Sequence, residues 1–238
     1  MTCVLMLGSG PTVTEAAAWP RAPFDRVVTI NNAHAVRPDW THNVFPWDFP
    51  EARRPQAGPG QHLVTEAEFV PAQNLYGGFV YAGATMAFTT AYWALAEWQP
   101  QVIAALGCDM HYPKANSHFY GTGTADPLRA DITLQSLEAK SARLMILAAM
   151  QGCAMVNLSF GPSRLIFPRL RRERVALARP LPFDAALADR ALRREAELGY
   201  VVPSGRYWEE LDRFDAAELR RIDGLWLAAA QAGMAASA

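Results

Sequence analysis

The feature that most constrains this chain is the run Cys3-Val4-Leu5-Met6-Leu7, which stops at Gly8-Ser9-Gly10-Pro11. A strand with apolar residues on both faces is one buried on both sides, as in a parallel sheet covered by helices. The glycines mark its end, and Pro11 suits the first turn of a following helix, where its missing N–H leaves nothing unpaired. The same grammar returns downstream. Val27-Val28-Thr29-Ile30 stops at Asn31-Asn32, Val102 to Leu106 stops at Gly107-Cys108-Asp109, Ala154 to Leu158 is a further buried run, and Val44-Phe45 is a short one.

Helical patterns separate these runs. Ala84 to Trp98 is apolar on most sides and ends before Pro100, and Leu134 to Gln151 closes at Gly152, a residue suited to a helix C-terminus. The segment 46–62, with Pro46, Pro50, Pro55 and Pro59, reads as a long surface loop. Strand–helix alternation predicts an α/β fold: a Rossmann-like, mostly parallel sheet with helices on both faces. After Pro168 the texture changes to an Arg-rich stretch at 169–179, a helix near 184–198 and an amphipathic pattern from Trp208 to about Ala232. The expected organisation is a nucleotide-binding domain over 1–168 and a C-terminal helical extension over 169–238, packed on it as a lid or an oligomer contact.

Composition narrows the partners. Half of the 238 residues are hydrophobic, which supplies a sizeable core, and a net charge of -1 gives no footprint for nucleic acid or an anionic membrane surface. Lysine occurs only at Lys114 and Lys140, a bias with little functional weight. Cys3, Cys108 and Cys153 are odd in number and lie in apolar runs, so reduced, buried thiols are expected. No apolar run approaches the ~20 residues of a membrane helix, and the start shows no secretory leader, so the expected setting is cytoplasmic.

Three places carry chemistry. The Gly8-Ser9-Gly10-Pro11-Thr12 turn could bring backbone N–H groups and a helix N-terminus to a phosphate. It lacks the third glycine of a dinucleotide fingerprint, where Val13 stands, and the second strand ends in Asn31-Asn32 rather than an acid, so NAD is disfavoured. Asn31 and Asn32 could bind sugar hydroxyls or a base edge, or could serve the turn itself. The third place is the loop leaving the 102–106 strand. It holds Asp109, His111, Tyr112, His118, Tyr120 and Asp126, with Ser117 and Gly121-Thr122-Gly123 among them. Imidazoles can take a proton near neutral pH and tyrosine hydroxyls can hold a departing phosphate. Asp109, His111, His118 and Asp126 match no strong metal-ligand spacing, so no metal cofactor is expected. His34, His42 and His62 stand apart and read as structural or exposed.

Taken in order, Gly8-Ser9-Gly10-Pro11-Thr12, Asn31-Asn32, Ala82-Gly83, Gly107-Cys108-Asp109, Ser117-His118-Phe119-Tyr120-Gly121 and Pro203-Ser204 resemble the bacterial sialyltransferases of the Campylobacter type, glycosyltransferase family 42. The likeness extends, with gaps, to about residue 210. It implies a Rossmann-like domain with a helical lid that binds a cytidine nucleotide sugar without metal and transfers the sugar with inversion to a glycan or other hydroxyl acceptor. Gly8 to Thr12 would then line the phosphate and ribose, Asn31 and Asn32 would face the phosphate and donor sugar, and Asp109 would close the nucleotide pocket. The family's general base falls on Thr122 here, and its first phosphate-holding tyrosine on His111, beside Tyr112. The base would have to be His118 or His111, with Tyr120 also near. Two other readings remain: an ATP- and magnesium-dependent pyrophosphokinase on the same scaffold, and a non-catalytic nucleotide or glycan binding module.

Overall fold

A computed structural model describes residues 2–112, 117–121 and 129–235. Its centre is one six-stranded, all-parallel sheet in the order β4-β3-β2-β1-β5-β6. The strands are β1 (Cys3–Leu7), β2 (Arg26–Ile30), β3 (His42–Val44), β4 (His62–Val64), β5 (Val102–Leu106) and β6 (Ala154–Asn157). β1 lies between β2 and β5 with every residue buried, as its unbroken apolar run requires. Side chains alternate faces along a strand. Val4 and Met6 therefore enter one hydrophobic core, and Cys3, Leu5 and Leu7 enter the other.

The two faces are covered by different kinds of helix. On the Val4 face lie α1 (Glu66–Asn74), the single turn α2 (Phe79–Ala82), α3 (Met86–Trp98), α4 (Leu137–Met150), α5 (Ala185–Leu198) and α6 (Ala216–Ala235). On the Leu5 face the cover is 3-10 helix: Pro11–Ala18, Asn31–Val36 and Arg172–Leu177. The segment after Pro11 buries Val13 and Ala16, three residues apart, which is one turn of a 3-10 helix. Trp19-Pro20 then ends it, so the α-helix that Pro11 suggests does not form.

The region 46–62 contains a 3-10 turn, Glu51–Arg53, and leads into β4, so the sheet is one strand wider than the sequence pattern indicates. β4 has only three residues, too few for a periodicity signal. Directly after it, α1 starts on a capping box in which the Thr65 backbone N–H donates to Glu68 Oε2 at 2.9 Å.

The C-terminal helices belong to the main core. Ala188, Ala191, Ile222 and Trp226 pack in the same cluster as Val4 and Met6. Two buried ion pairs join them to α4: Arg143 Nη2 to Glu195 Oε2 at 2.7 Å, and Lys140 Nζ to Asp223 Oδ1 at 2.8 Å. Glu195 Oε1 also accepts from Trp226 Nε1 at 2.8 Å. The segment beyond 168, expected as an extension packed on the domain, shares its core. It adds α5 and α6 to the same face as α1, α3 and α4. All three cysteines are free and buried, and burial pushes each thiol well above its ordinary range. Among the described residues no helix is long and apolar enough to cross a membrane.

Candidate functional site

From β1 the chain works outward through β2, β3 and β4, then returns to place β5 on the other side of β1. The sheet's switch point thus lies between β1 and β5, and open α/β sheets bind ligands at the carboxyl ends of such strands. Here a cleft of about 280 Å³ opens at that position. It is lined by Gly8 to Thr12 on one side and by Thr85 to Ala87 and Gly107 to Tyr112 on the other. Ile30 and Asn31, His118 and Tyr120, and Gly161 and Pro162 complete the wall. The volume sits at the small end for ligand sites.

The glycines let the two strand-end turns touch. Gly8 N–H donates to Leu106 O at 2.9 Å and Gly10 N–H to Gly107 O at 2.8 Å. A Cβ on Gly8 would stand 2.4 Å from Gly107 O, and one on Gly10 2.8 Å from the same atom. These two N–H groups are engaged in joining the turns, so the expected cradle of glycine amides around a phosphate is not what Gly8 and Gly10 form. The positive helix end at the cleft comes instead from α3. Thr85 caps that 13-residue helix by accepting from Phe88 N–H at 3.3 Å, and Met86 and Ala87 of its first turn line the cleft. No side chain caps the 3-10 segment that begins at Pro11.

Asn31 and Asn32 part company. β2 ends at Ile30, and Asn31 takes a left-handed backbone with φ 51°, so its side chain joins the cleft wall while Asn32 lies outside the lining. The Asn31 carbonyl is held by Asn43 Nδ2 at 3.1 Å, and its own Oδ1 is buried with no partner among the described residues. Turn chemistry and cleft lining are thus both served by one residue.

The His118 loop is fastened to the glycine turn. His118 and Gly121 exchange backbone hydrogen bonds at 2.9 and 3.0 Å, and Phe119 N–H donates to Ser9 O at 3.0 Å. His118 is buried, with Nδ1 2.9 Å from Ser117 Oγ. Its ring stacks on Tyr120 at 5.1 Å and meets Tyr112 at 5.6 Å. Tyr120 is half exposed and His111 is exposed. The sequence-derived candidates Gly8, Ser9, Gly10, Pro11, Thr12, Asn31, Asp109, His111, Tyr112, His118 and Tyr120 therefore share one cleft, and Asn32 does not.

Asp109 is held by β6. Asn157 Nδ2 donates to Asp109 Oδ1 at 3.1 Å, and Asn157 Oδ1 accepts from Ser159 N–H at 2.9 Å. Ser159 Oγ in turn lies 3.1 Å from Thr12 Oγ1 and accepts from Gly107 N–H at 3.3 Å. The sequence signal for this polar floor is Asn157-Leu158-Ser159, a polar interruption at a strand's carboxyl end. The Gly161-Pro162 wall has no local signal, whereas the cap of α3 has one in Thr85, an N-cap residue type directly before the helix. Thr122 and Asp126 lie outside the described residues, and so does the part of the metal reading that used Asp126. Among the described residues no three His, Cys, Asp or Glu side chains come together as a metal site.

Among the described residues, none beyond Pro162 lines the cleft. His42 and His62 are not isolated either: β3 and β4 put them side by side with rings stacked at 5.1 Å, and Trp98 meets His42 at 4.8 Å. No protein-family model, curated protein or solved structure matches this chain.

Proposed function

We propose that the chain is a transferase that binds a nucleotide sugar of the CMP-sugar kind in the switch-point cleft and passes the sugar to a hydroxyl acceptor without a metal ion. The observation that carries this reading is the charge of the wall. Among its described lining residues there are two histidines and one carboxylate, but no lysine or arginine, in a chain with 22 such cations. A nucleoside diphosphate or triphosphate would bring about two to four negative charges and meet no lysine or arginine among the described lining residues. A phosphodiester brings one, which suits a helix N-terminus and hydroxyl donors.

His118 is the proposed base. Ser117 orients its ring, and the 118–121 hairpin ties it to the turn that lines the same cleft. The imidazole takes the acceptor's proton as the acceptor oxygen bonds to the anomeric carbon. The sugar–oxygen bond to phosphate breaks, its electron pair leaving with the phosphate. The α3 N-terminus, Tyr112 and Tyr120 receive that developing charge. His111, exposed at the mouth, is the other imidazole within the cleft.

A thermal-shift series with CMP, CMP-sugars, UDP-sugars and ATP, each with and without magnesium, tests the reading. The expected result is stabilisation independent of magnesium, stronger for a CMP-sugar, whose phosphodiester carries one charge, than for CMP, whose phosphomonoester carries about two near neutral pH; a ligand at 100 times its Kd adds ~2.7 kcal/mol. His118→Ala should lower turnover ~10²- to 10⁴-fold with CMP binding retained. Stabilisation only by ATP with magnesium, or none by any nucleotide, overturns the proposal, and undiminished turnover in His118→Ala removes the assigned base.

A further inference from the structure

Asp109 contributes the only carboxylate among the described lining residues, and its two oxygens are in different situations. Oδ1 accepts from Asn157 Nδ2 at 3.1 Å, while Oδ2 has no partner among the described residues. Asn157 is itself fully buried and has little freedom. Its Nδ2 also reaches Ser163 Oγ at 3.1 Å, and its Oδ1 accepts from Ser159 N–H at 2.9 Å. The bond donated by Ser159 N–H decides which way the amide points, because a backbone N–H can only donate and so must face the amide oxygen. The flipped amide would set two donors against each other and turn an oxygen toward Asp109.

We propose that Asn157, which does not line the cleft, is a positioning residue: it commits one oxygen of Asp109 to the fold and leaves the other to accept a hydrogen bond from an O–H or N–H of the ligand. This rests on the nucleotide reading above and names the chemistry at one point of that site. A carboxylate with no lysine or arginine beside it among the described lining residues calls for a neutral donor, which a ribose hydroxyl or a base amine supplies equally. Among the described residues, the charged and titratable groups around Asp109 and Asn157 are Cys108, His111, Tyr112, His118 and Tyr120 in the cleft, Arg169, which donates to Ser159 O at 3.1 Å and Gly161 O at 2.6 Å, and Arg164. The Arg164 backbone N–H donates to Asp109 O at 2.8 Å, and its guanidinium is paired with Glu138.

The decisive variant is Asn157→Asp, which keeps the shape but replaces the donor with a carboxylate about 3 Å from Asp109. Two carboxylates so close share a proton, and the shared proton restores the missing hydrogen bond only at low pH. Calorimetric Kd values for CMP at pH 5 and pH 8 are compared as the ratio of variant to wild type at each pH, which cancels the histidines' own titration. The ratio should rise to about 10- to 100-fold at pH 8 and fall toward one at pH 5. A ratio that is the same at both pH values, as a general loss of packing would give, overturns the inference.

Asp109→Asn is the second variant, useful if the first fails to fold. Its acceptor oxygen can still face Asn157, which turns an NH2 toward the ligand's donor. CMP binding should therefore weaken at both pH values, and unchanged binding overturns the inference. UMP lacks the base amine and 2′,3′-dideoxyCMP lacks the hydroxyls. Whichever of the two binds wild type more weakly than CMP, and loses that handicap in Asp109→Asn, names the group that Asp109 holds. Equal handicaps in wild type and variant for both nucleotides also overturn it. Wild-type protein that does not bind CMP removes the functional reading and this inference together, whereas binding with insensitive variants removes only the inference.

Discussion

Replacing Glu195 by alanine tests whether the C-terminal helices are part of one cooperative unit. Glu195 is buried on α5 and accepts three hydrogen bonds: from Arg143 Nε at 2.9 Å, Arg143 Nη2 at 2.7 Å and Trp226 Nε1 at 2.8 Å. These join α4, α5 and α6. Its loss leaves the Arg143 guanidinium, 1% exposed, with the Tyr92 hydroxyl at 2.8 Å and the Tyr76 carbonyl at 2.5 Å as acceptors and no carboxylate bonded to it among the described residues. Removing one partner of a buried ion pair costs about 3–5 kcal/mol, because the remaining charge stays desolvated. For a chain of this size each kcal/mol moves Tm by ~2–4 °C, so the melting point should fall by ~6–20 °C. Calorimetry, together with CMP stabilisation of the same transition, provides the assay. One transition that moves as a whole is expected. The apolar double variant Arg143→Met with Glu195→Leu should recover much of the loss, since uncharged residues of similar bulk need no partner. A fall under ~3 °C, or a split melt in which only one step moves, would refute the account of a shared core.

Gly8→Ala should destabilise the fold by several kcal/mol or prevent it, since the new methyl stands 2.4 Å from Gly107 O and both turns are fixed by backbone hydrogen bonds; a melt within ~2 °C of wild type would show that the turns can separate. His42 gives a pH dependence. Burial first, then His62 and Arg26, push its pKa down to about 4, so the unfolded chain takes up its proton near pH 6.5 and the folded chain only near 4. Its contribution is complete above about pH 6.5 and is lost as pH falls toward 4, by ~1–2 kcal/mol once partial solvent screening is allowed for. Denaturant midpoints at pH 7.5 and 4.5 should therefore converge more in His42→Phe than in wild type, and an equal acid sensitivity in both would exclude the histidine as its source.

Much of the frame was legible because short-range patterns encode it. The β1 and β5 runs carry their observed limits in the sequence, since a strand buried on both faces shows an apolar run that stops where the turn begins. α5 starts within a residue of its expected position, on an Asp184 side chain that accepts from Leu187 N–H at 3.0 Å. β4 was invisible because three residues bear no period, and α1 because Pro71 interrupts a pattern that Thr65 and Glu68 open.

What the sequence by itself determined is the local chemistry of strand ends: glycines where two turns must touch, Asn31 where the backbone turns left-handed, and polar and aromatic residues after β5. Their gathering into one cleft was decided by the strand order, which sets β1 beside β5 although Leu7 and Val102 lie far apart in the chain. The same long-range packing gave Asp109 its partner on β6, brought the α3 N-terminus to the cleft and drew the C-terminal helices into the core. None of this has a local signature, because strand order and helix packing are settled by which apolar faces cover one another, and those faces come from segments distant in sequence.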